Sequence, residues 1–200
     1  MGPTMKIDVR PLTKDRWQDL VELFNRPGAS IVRGCWCMYY RRSGGGSGVG
    51  PGRTNERALK ALVDDGRVPG LIGYEADIPV GWVSLSPREE YAKLRRSPVM
   101  KPVDDKPVWS IVCFFVDKKA RGKGVSEALL KGAIDYARSR GARLLEAYPV
   151  DKDEPSHPDF MFFGAKRMYD RAGFKEVARR KETRPVMRRT LRPGKRSRPV

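Results

Sequence analysis

Strands and helices alternate along this chain, which predicts an α/β protein organised around one central sheet. Three observations carry that reading. Residues 108–116 form a run that is apolar but for Ser110, the pattern of a strand covered on both faces. A basic, Gly-punctuated turn follows, Arg121-Gly122-Lys123-Gly124-Val125-Ser126, and opens a helix over 127–140. Further on, Tyr169-Asp170-Arg171-Ala172-Gly173-Phe174 ends a helix at a left-handed Gly and restarts as a strand.

The other elements fall around these. Residues 6–10 read as a first strand. Thr13 is placed to cap a helix in which Trp17, Leu20, Val21 and Phe24 recur at helical spacing. Cys35-Trp36-Cys37 reads as an extended segment with both thiols on one side and Trp36 on the other. The Gly/Ser stretch 43–53 is a flexible loop, since no strand leads into it. A helix over 54–65 turns Ala58, Leu59, Leu62 and Val63 inward and stops at Gly66. Strands at 71–75 and 79–85 flank the turn Glu75-Ala76-Asp77-Ile78. A short charged helix from Pro87 through Leu94 and a Pro-bearing loop lead to the central strand. After the long helix come a strand at 143–150, a loop with Pro155 and Pro158, the helix ending at Ala172, and strands at 174–179 and 185–191.

With 200 residues and 40% hydrophobic content, one domain over 5–192 is expected. No apolar run is long enough to span a membrane. Met1-Gly2-Pro3-Thr4-Met5-Lys6 has neither a secretory apolar stretch nor the Ser/Thr of a myristoylation signal, so a cytoplasmic chain is expected. Cys35-Trp36-Cys37 suggests half of a metal site, but His157 is the only histidine and no second cysteine pair exists to complete it, so no metal is expected. The net charge is +17, and between Arg179 and Arg198 ten Lys/Arg face only Glu182. Such an end attracts polyanions by long-range electrostatics, although residues 193–200 read more simply as a solvated, disordered tail.

The turn at 121–126 leaves backbone N–H groups uncovered at a helix entrance, where the helix dipole is positive. A phosphate or pyrophosphate suits that place. Two familiar motifs are excluded. Lys123 is followed by Gly124 rather than the Ser/Thr of a Walker loop, and Glu127 stands where a dinucleotide fingerprint needs Gly. The segment resembles instead the cofactor motif Gln/Arg-x-x-Gly-x-Gly/Ala of the GNAT superfamily of acyl-CoA-dependent N-acyltransferases, met by Arg121, Gly124 and, with Ser for Gly/Ala, Ser126. The Tyr-x-x-x-Gly-Phe ending of that fold is met by Tyr169, Gly173 and Phe174, with Ala165 four residues before the Tyr and Phe162 replacing a frequent Asn.

The resemblance implies a mixed, mostly antiparallel sheet of about seven strands flanked by four to five helices. It implies acetyl-CoA as co-substrate, its pantetheine lying along Phe114, Phe115 and Val116 and its pyrophosphate on Arg121, Gly122, Lys123, Gly124, Val125 and Ser126. Transfer to an amine would then proceed by direct attack in a ternary complex. Phe114 N–H is the natural donor to the developing oxyanion, and Tyr169 corresponds to the acid that protonates the leaving sulfur. Where several family members carry a carboxylate, this chain has Ser110, which can hold a water; Glu146, ahead of Glu75, is the substitute base. An aromatic wall of Trp82, Trp109, Tyr148 and Trp36, joined by Tyr39 and Tyr40, is expected to hold a small-molecule amine. A homodimer fits the resemblance. The rival readings are an acyl-CoA sensor without turnover and a nucleic-acid binder using the basic end.

Overall fold

A computed structural model describes residues 6–42, 52–152 and 162–192. The basic tail, Pro155, His157, Pro158 and most of the Gly/Ser loop lie outside these residues. The described chain contains seven strands: β1 (Asp8–Pro11), β2 (Gly70–Glu75), β3 (Ile78–Pro87), β4 (Trp109–Val116), β5 (Leu144–Ala147), β6 (Lys175–Lys181) and β7 (Arg184–Thr190). Six helices accompany them: α1 (Trp17–Asn25), α2 (Ser30–Cys35), α3 (Gly52–Asp64), α4 (Ala92–Arg96), α5 (Val125–Ser139) and α6 (Lys166–Arg171). One sheet holds all seven strands in the order β1-β2-β3-β4-β5-β7-β6. Every neighbouring pair is antiparallel except β4 and β5.

Side-chain alternation along the strands divides the core into two layers. Ile72, Tyr74 and Trp82 face the helices α1 to α3, packing with Leu20, Leu23 and Phe24 of α1 and Leu59 and Val63 of α3. Leu71, Val83 and Leu85 face the other way and meet Leu129, Leu130, Ala133 and Ala137 of α5. Each large apolar side chain fully buried in this way stabilises the fold by about 1.5–3 kcal/mol. The closeness of α5 to the sheet depends on Gly132, where an added Cβ would stand 2.4 Å from Val9 Cγ1. A third cluster, with Tyr91, Leu94, Val112, Tyr148, Phe163 and Val186, fills the end of the sheet beyond β5.

Local chemistry accounts for most departures from the sequence reading. Thr13 precedes a 3-10 turn rather than α1 and makes no cap bond to backbone; its hydroxyl accepts from Arg16 Nη1 at 2.7 Å. The helix expected from Pro87 splits into a 3-10 turn, Arg88–Glu90, and α4. Cys35-Trp36-Cys37 is not extended: it closes α2, with Trp36 and Cys37 in left-handed conformation at φ 46° and 51°.

The β4–β5 junction positions everything that follows. These strands share only three pairs, Trp109↔Leu145, Ser110↔Glu146 and Ile111↔Ala147. β5 then ends, whereas β4 runs on to Val116. From Val112 onward one edge of β4 is therefore free of β5, and a gap opens beside it.

Candidate active site

At the mouth of this gap, Gly122 and Gly124 adopt φ 75° and 79°, and Gly124 caps α5 without a side-chain bond. Consecutive turns of this kind aim backbone N–H groups outward into an anion-binding concavity. No atom lies within 4 Å of where a Cβ would stand at either glycine. Arg121 and Lys123 are exposed beside them. Upstream, Asp117 steadies the approach: its carboxylate accepts from Lys119 N–H at 2.9 Å and from Arg26 Nη1 at 2.8 Å. Burial opposes ionisation of Asp117, but the guanidinium and the amide outweigh it and hold its carboxyl below the usual carboxylate range.

Two cavities line the gap. The smaller, about 170 Å³, is walled by Phe114, Phe115, Val116, Arg121 and Ser126, five of the expected cofactor residues, with Ala29 and Val32 opposite. The larger, about 420 Å³, is lined by Cys35, Cys37, Tyr39, Tyr40, Val112 and Cys113. Ile31, Val32 and Phe162 belong to both, so Phe162 stands between them. Its carbonyl accepts the Phe114 N–H at 2.6 Å. The next carbonyl, of Phe163, accepts the Tyr169 hydroxyl at 2.9 Å. The expected oxyanion donor and the expected acid are thus both donated to one dipeptide. Burial, with a smaller contribution from Cys113, pushes the Tyr169 phenol above its ordinary value.

The expected base and aromatic wall are placed elsewhere. Glu146 is fully buried, but lines neither cavity. Its Oε1 accepts from Arg88 Nη1 and from the Tyr148 hydroxyl at 2.6 Å, and its Oε2 accepts from Arg188 Nε at 2.7 Å. Ser110 Oγ shares a 3.0 Å hydrogen bond with the Tyr148 hydroxyl, and Arg188 also donates to Asp104 at 2.8 Å. These residues form a structural ion cluster across the ends of β3, β5 and β7. Burial, then the Glu146 charge, drives the Tyr148 phenol well above its normal range. Trp82 and Trp36 lie in the α1–α3 layer, with Trp36 stacked on Trp17 at 5.7 Å. Trp109 packs edge-on against Tyr136 of α5. None of the four predicted wall aromatics lines either of these two cavities; Tyr39 and Tyr40 line the larger.

Sequence reasoning missed three contributors to the gap: Ile31 and Val32 of α2, the Phe162 carbonyl, and the meeting of all three thiols on one cavity. The pairing of Cys35 and Cys37 on one side was legible, though on an extended segment that does not exist. Among the described residues no cluster of His, Cys, Asp and Glu could hold a metal ion, and no helix is long and apolar enough to cross a membrane.

Comparison with known proteins bears on this architecture directly. The family model described as Acetyltransferase (GNAT) family matches residues 50–174. An uncharacterised N-acetyltransferase of Methanocaldococcus jannaschii is 24% identical over 170 residues, covering 84% of this chain; the chain spans 60% of that relative's length. Among solved structures, a mosquito arylalkylamine N-acetyltransferase-like protein superposes with a TM-score of 0.58 at 12% identity, over 93% of this chain and 100% of that one. The ribosomal-protein-alanine N-acetyltransferase of Brucella melitensis gives 0.53 at 18% identity, with 92% and 99% covered. A chain of the NatC complex, solved with Gag peptide and CoA, gives 0.52 at 13% identity, with 94% and 100% covered. The seven-stranded sheet, the glycine turn before α5 and a family match over more than half its length show that this chain belongs to the GNAT family of acetyltransferases.

Proposed function

We propose that the chain transfers an acetyl group from acetyl-CoA to the amine of a small molecule by direct attack in a ternary complex. The observation that supports this reading most is the uncapped turn Gly122–Gly124, opening onto a cavity that runs beside the stretch of β4 beyond β5. Backbone amides of residues 122–126, with Arg121 and Lys123, would hold the diphosphate. Phe114 and Val116 would pair with the pantetheine as an added strand does. Acetyl-CoA supplies an acetyl group already activated as a thioester.

The chain's own groups do the rest. Phe114 N–H would leave the Phe162 carbonyl and donate to the acetyl oxygen. Tyr169 O–H would leave the Phe163 carbonyl and protonate the departing sulfur. One shift of the dipeptide Phe162–Phe163 would therefore free both protons. Among the described residues no carboxylate lines either cavity. The larger cavity instead presents thiols, Tyr39, Tyr40 and Val112, an environment that disfavours an ammonium and favours the neutral amine. The low-pH limb of kcat/KM is accordingly expected to move with the acceptor's own basicity, since the neutral amine is lost as pH falls through its pKa. Two amines of different basicity measured side by side test this; a fixed limb for both would show a protein base.

Titration with CoA by calorimetry tests the turn itself. Gly124→Val is expected to abolish measurable CoA binding while the chain remains folded. A β-branched residue at φ 79° is strained by about 1–2 kcal/mol and covers the neighbouring amides. Unchanged affinity would remove the turn from the binding site. Acetylation of an amine panel, followed by mass spectrometry, then separates the enzyme from an acyl-CoA sensor, which would bind CoA and modify nothing.

A further inference from the structure

The turn Cys35-Trp36-Cys37 only lines the cavity in the transfer proposed above, yet its backbone is unusual. Two consecutive non-glycine residues at positive φ cost of order 1–3 kcal/mol each and persist only where their surroundings enforce them. Here the enforcement is visible. The Trp36 ring is clamped between Trp17 and Phe24. Asn55 donates to the Gly34 carbonyl at 2.8 Å, and Arg41 just downstream donates to Glu90 at 2.6 Å and Ser86 at 2.7 Å. The result is that Cys35 and Cys37 both reach the larger cavity, on the wall that also carries Cys113 of β4.

Within this trio Cys37 and Cys113 are partners. Cys37 Sγ accepts the Trp82 indole N–H at 3.2 Å, Cys113 Sγ donates to the Phe114 carbonyl at 3.8 Å, and both thiols line one cavity and pack in one core cluster. The neighbouring Cys113 thiol, with help from Trp82 and Arg41, outweighs burial and draws the Cys37 thiol below its ordinary value. Cys113, as the thiol facing that sulfur, is pushed well up. Burial, then the Cys37 charge, lifts Cys35 to about 11. One sulfur suited to nucleophilic attack thus sits beside one that remains protonated.

We infer that Cys37 and Cys113 are an oxidisable dithiol in the wall of the larger cavity, closed to an intramolecular disulfide by a peroxide. The Cys37 thiolate attacks the peroxide O–O bond; its sulfur is oxidised to a sulfenic acid, and the second oxygen leaves as hydroxide and takes a proton to become water. The Cys113 sulfur then attacks the sulfenic sulfur, the S–S bond forms, and the S–O bond breaks as the hydroxyl leaves with the Cys113 proton as water. Two thiols and one peroxide give one disulfide and two waters. Cys35 is the bystander, because joining it to Cys37 would close a tight ring around the buried Trp36. The bond ties the turn after α2 to β4. Its effect on acetyl transfer rests on the reading of this cavity as the acceptor site; its formation does not.

The test is peroxide treatment of the full chain, alkylation of the remaining thiols and peptide mapping. A peptide bearing Cys37 joined to one bearing Cys113, with Cys35 alkylated and dithiothreitol reversing the link, is the expected result. Cys35→Ser is expected to leave the link intact, and Cys113→Ser to leave a Cys37 sulfenic acid that dimedone traps. Three alkylated thiols, a Cys35–Cys37 link or a link between chains would overturn the inference. Alongside, the oxidised chain is expected to bind CoA unchanged and to lose amine acetylation. A mapped link with undiminished acetylation would uphold the dithiol and refute the acceptor cavity instead.

Discussion

Glu146→Leu is expected to lower the free energy of unfolding by about 3–5 kcal/mol, because it removes the anion from a buried ion cluster and leaves the cations in place. Arg88 and Arg188 both donate to this carboxylate, and their side chains are only 11% and 8% exposed. Neither guanidinium could recover its hydration without opening the end of the sheet. The penalty is therefore the desolvation of charge that has lost its anion, greatest at Arg88 because Arg188 keeps Asp104. For a chain of this size the melting temperature should fall by roughly 10 °C. Urea denaturation is the direct measurement, and a midpoint matching the unmodified protein would disprove the structural role. Replacing Arg88, Glu146 and Arg188 together by apolar residues should recover much of the loss, since a whole buried ion cluster can be exchanged for apolar packing at little cost.

Tyr169→Phe is expected to lower kcat by about 10²–10⁴-fold, the range for losing a positioned general acid. The KM for acetyl-CoA should change little, because the hydroxyl is not among the groups expected to hold the diphosphate. Burial keeps this phenol protonated throughout any practical assay range. It remains a donor at every pH tested and should contribute no limb of its own to the rate profile. Deleting the hydroxyl also leaves the Phe163 carbonyl short of a partner, at a cost to stability of about 1 kcal/mol. Turnover and stability can thus be read apart. An unaltered kcat would assign Tyr169 to packing alone, beside Phe114 and Phe174.

The parts of the fold legible in the sequence are those whose causes are local. An apolar run fixed β4, two glycines announced the turn, and the Gly173 cap marked the end of α6. That Phe114, Phe115, Val116, Arg121 and Ser126 would line one cavity was readable for the same reason, since residues 114–126 are contiguous. The acceptor half was not, because its determinants are distant or carry no side-chain signature. Glu146 looks like a base until its arginines arrive from 58 and 42 positions away. Trp36 and Trp82 are aromatic letters whose facing depends on a left-handed turn in one case and on β3 register in the other. Phe162 acts through its carbonyl, which every residue possesses.

The brevity of the β4–β5 ladder has a consequence for how the protein moves. Four strands, β1 to β4 with α5 on one side and α1 to α3 on the other, and the smaller three-stranded part β5-β7-β6 meet along only three residue pairs. Main-chain bonding is dense within each part and sparse between them, while charged side chains stitch the near end of the seam. The spine of the molecule is thus pinned at one end and loose at the other, so a guest wedged into the loose end can widen the crease without unravelling either leaf.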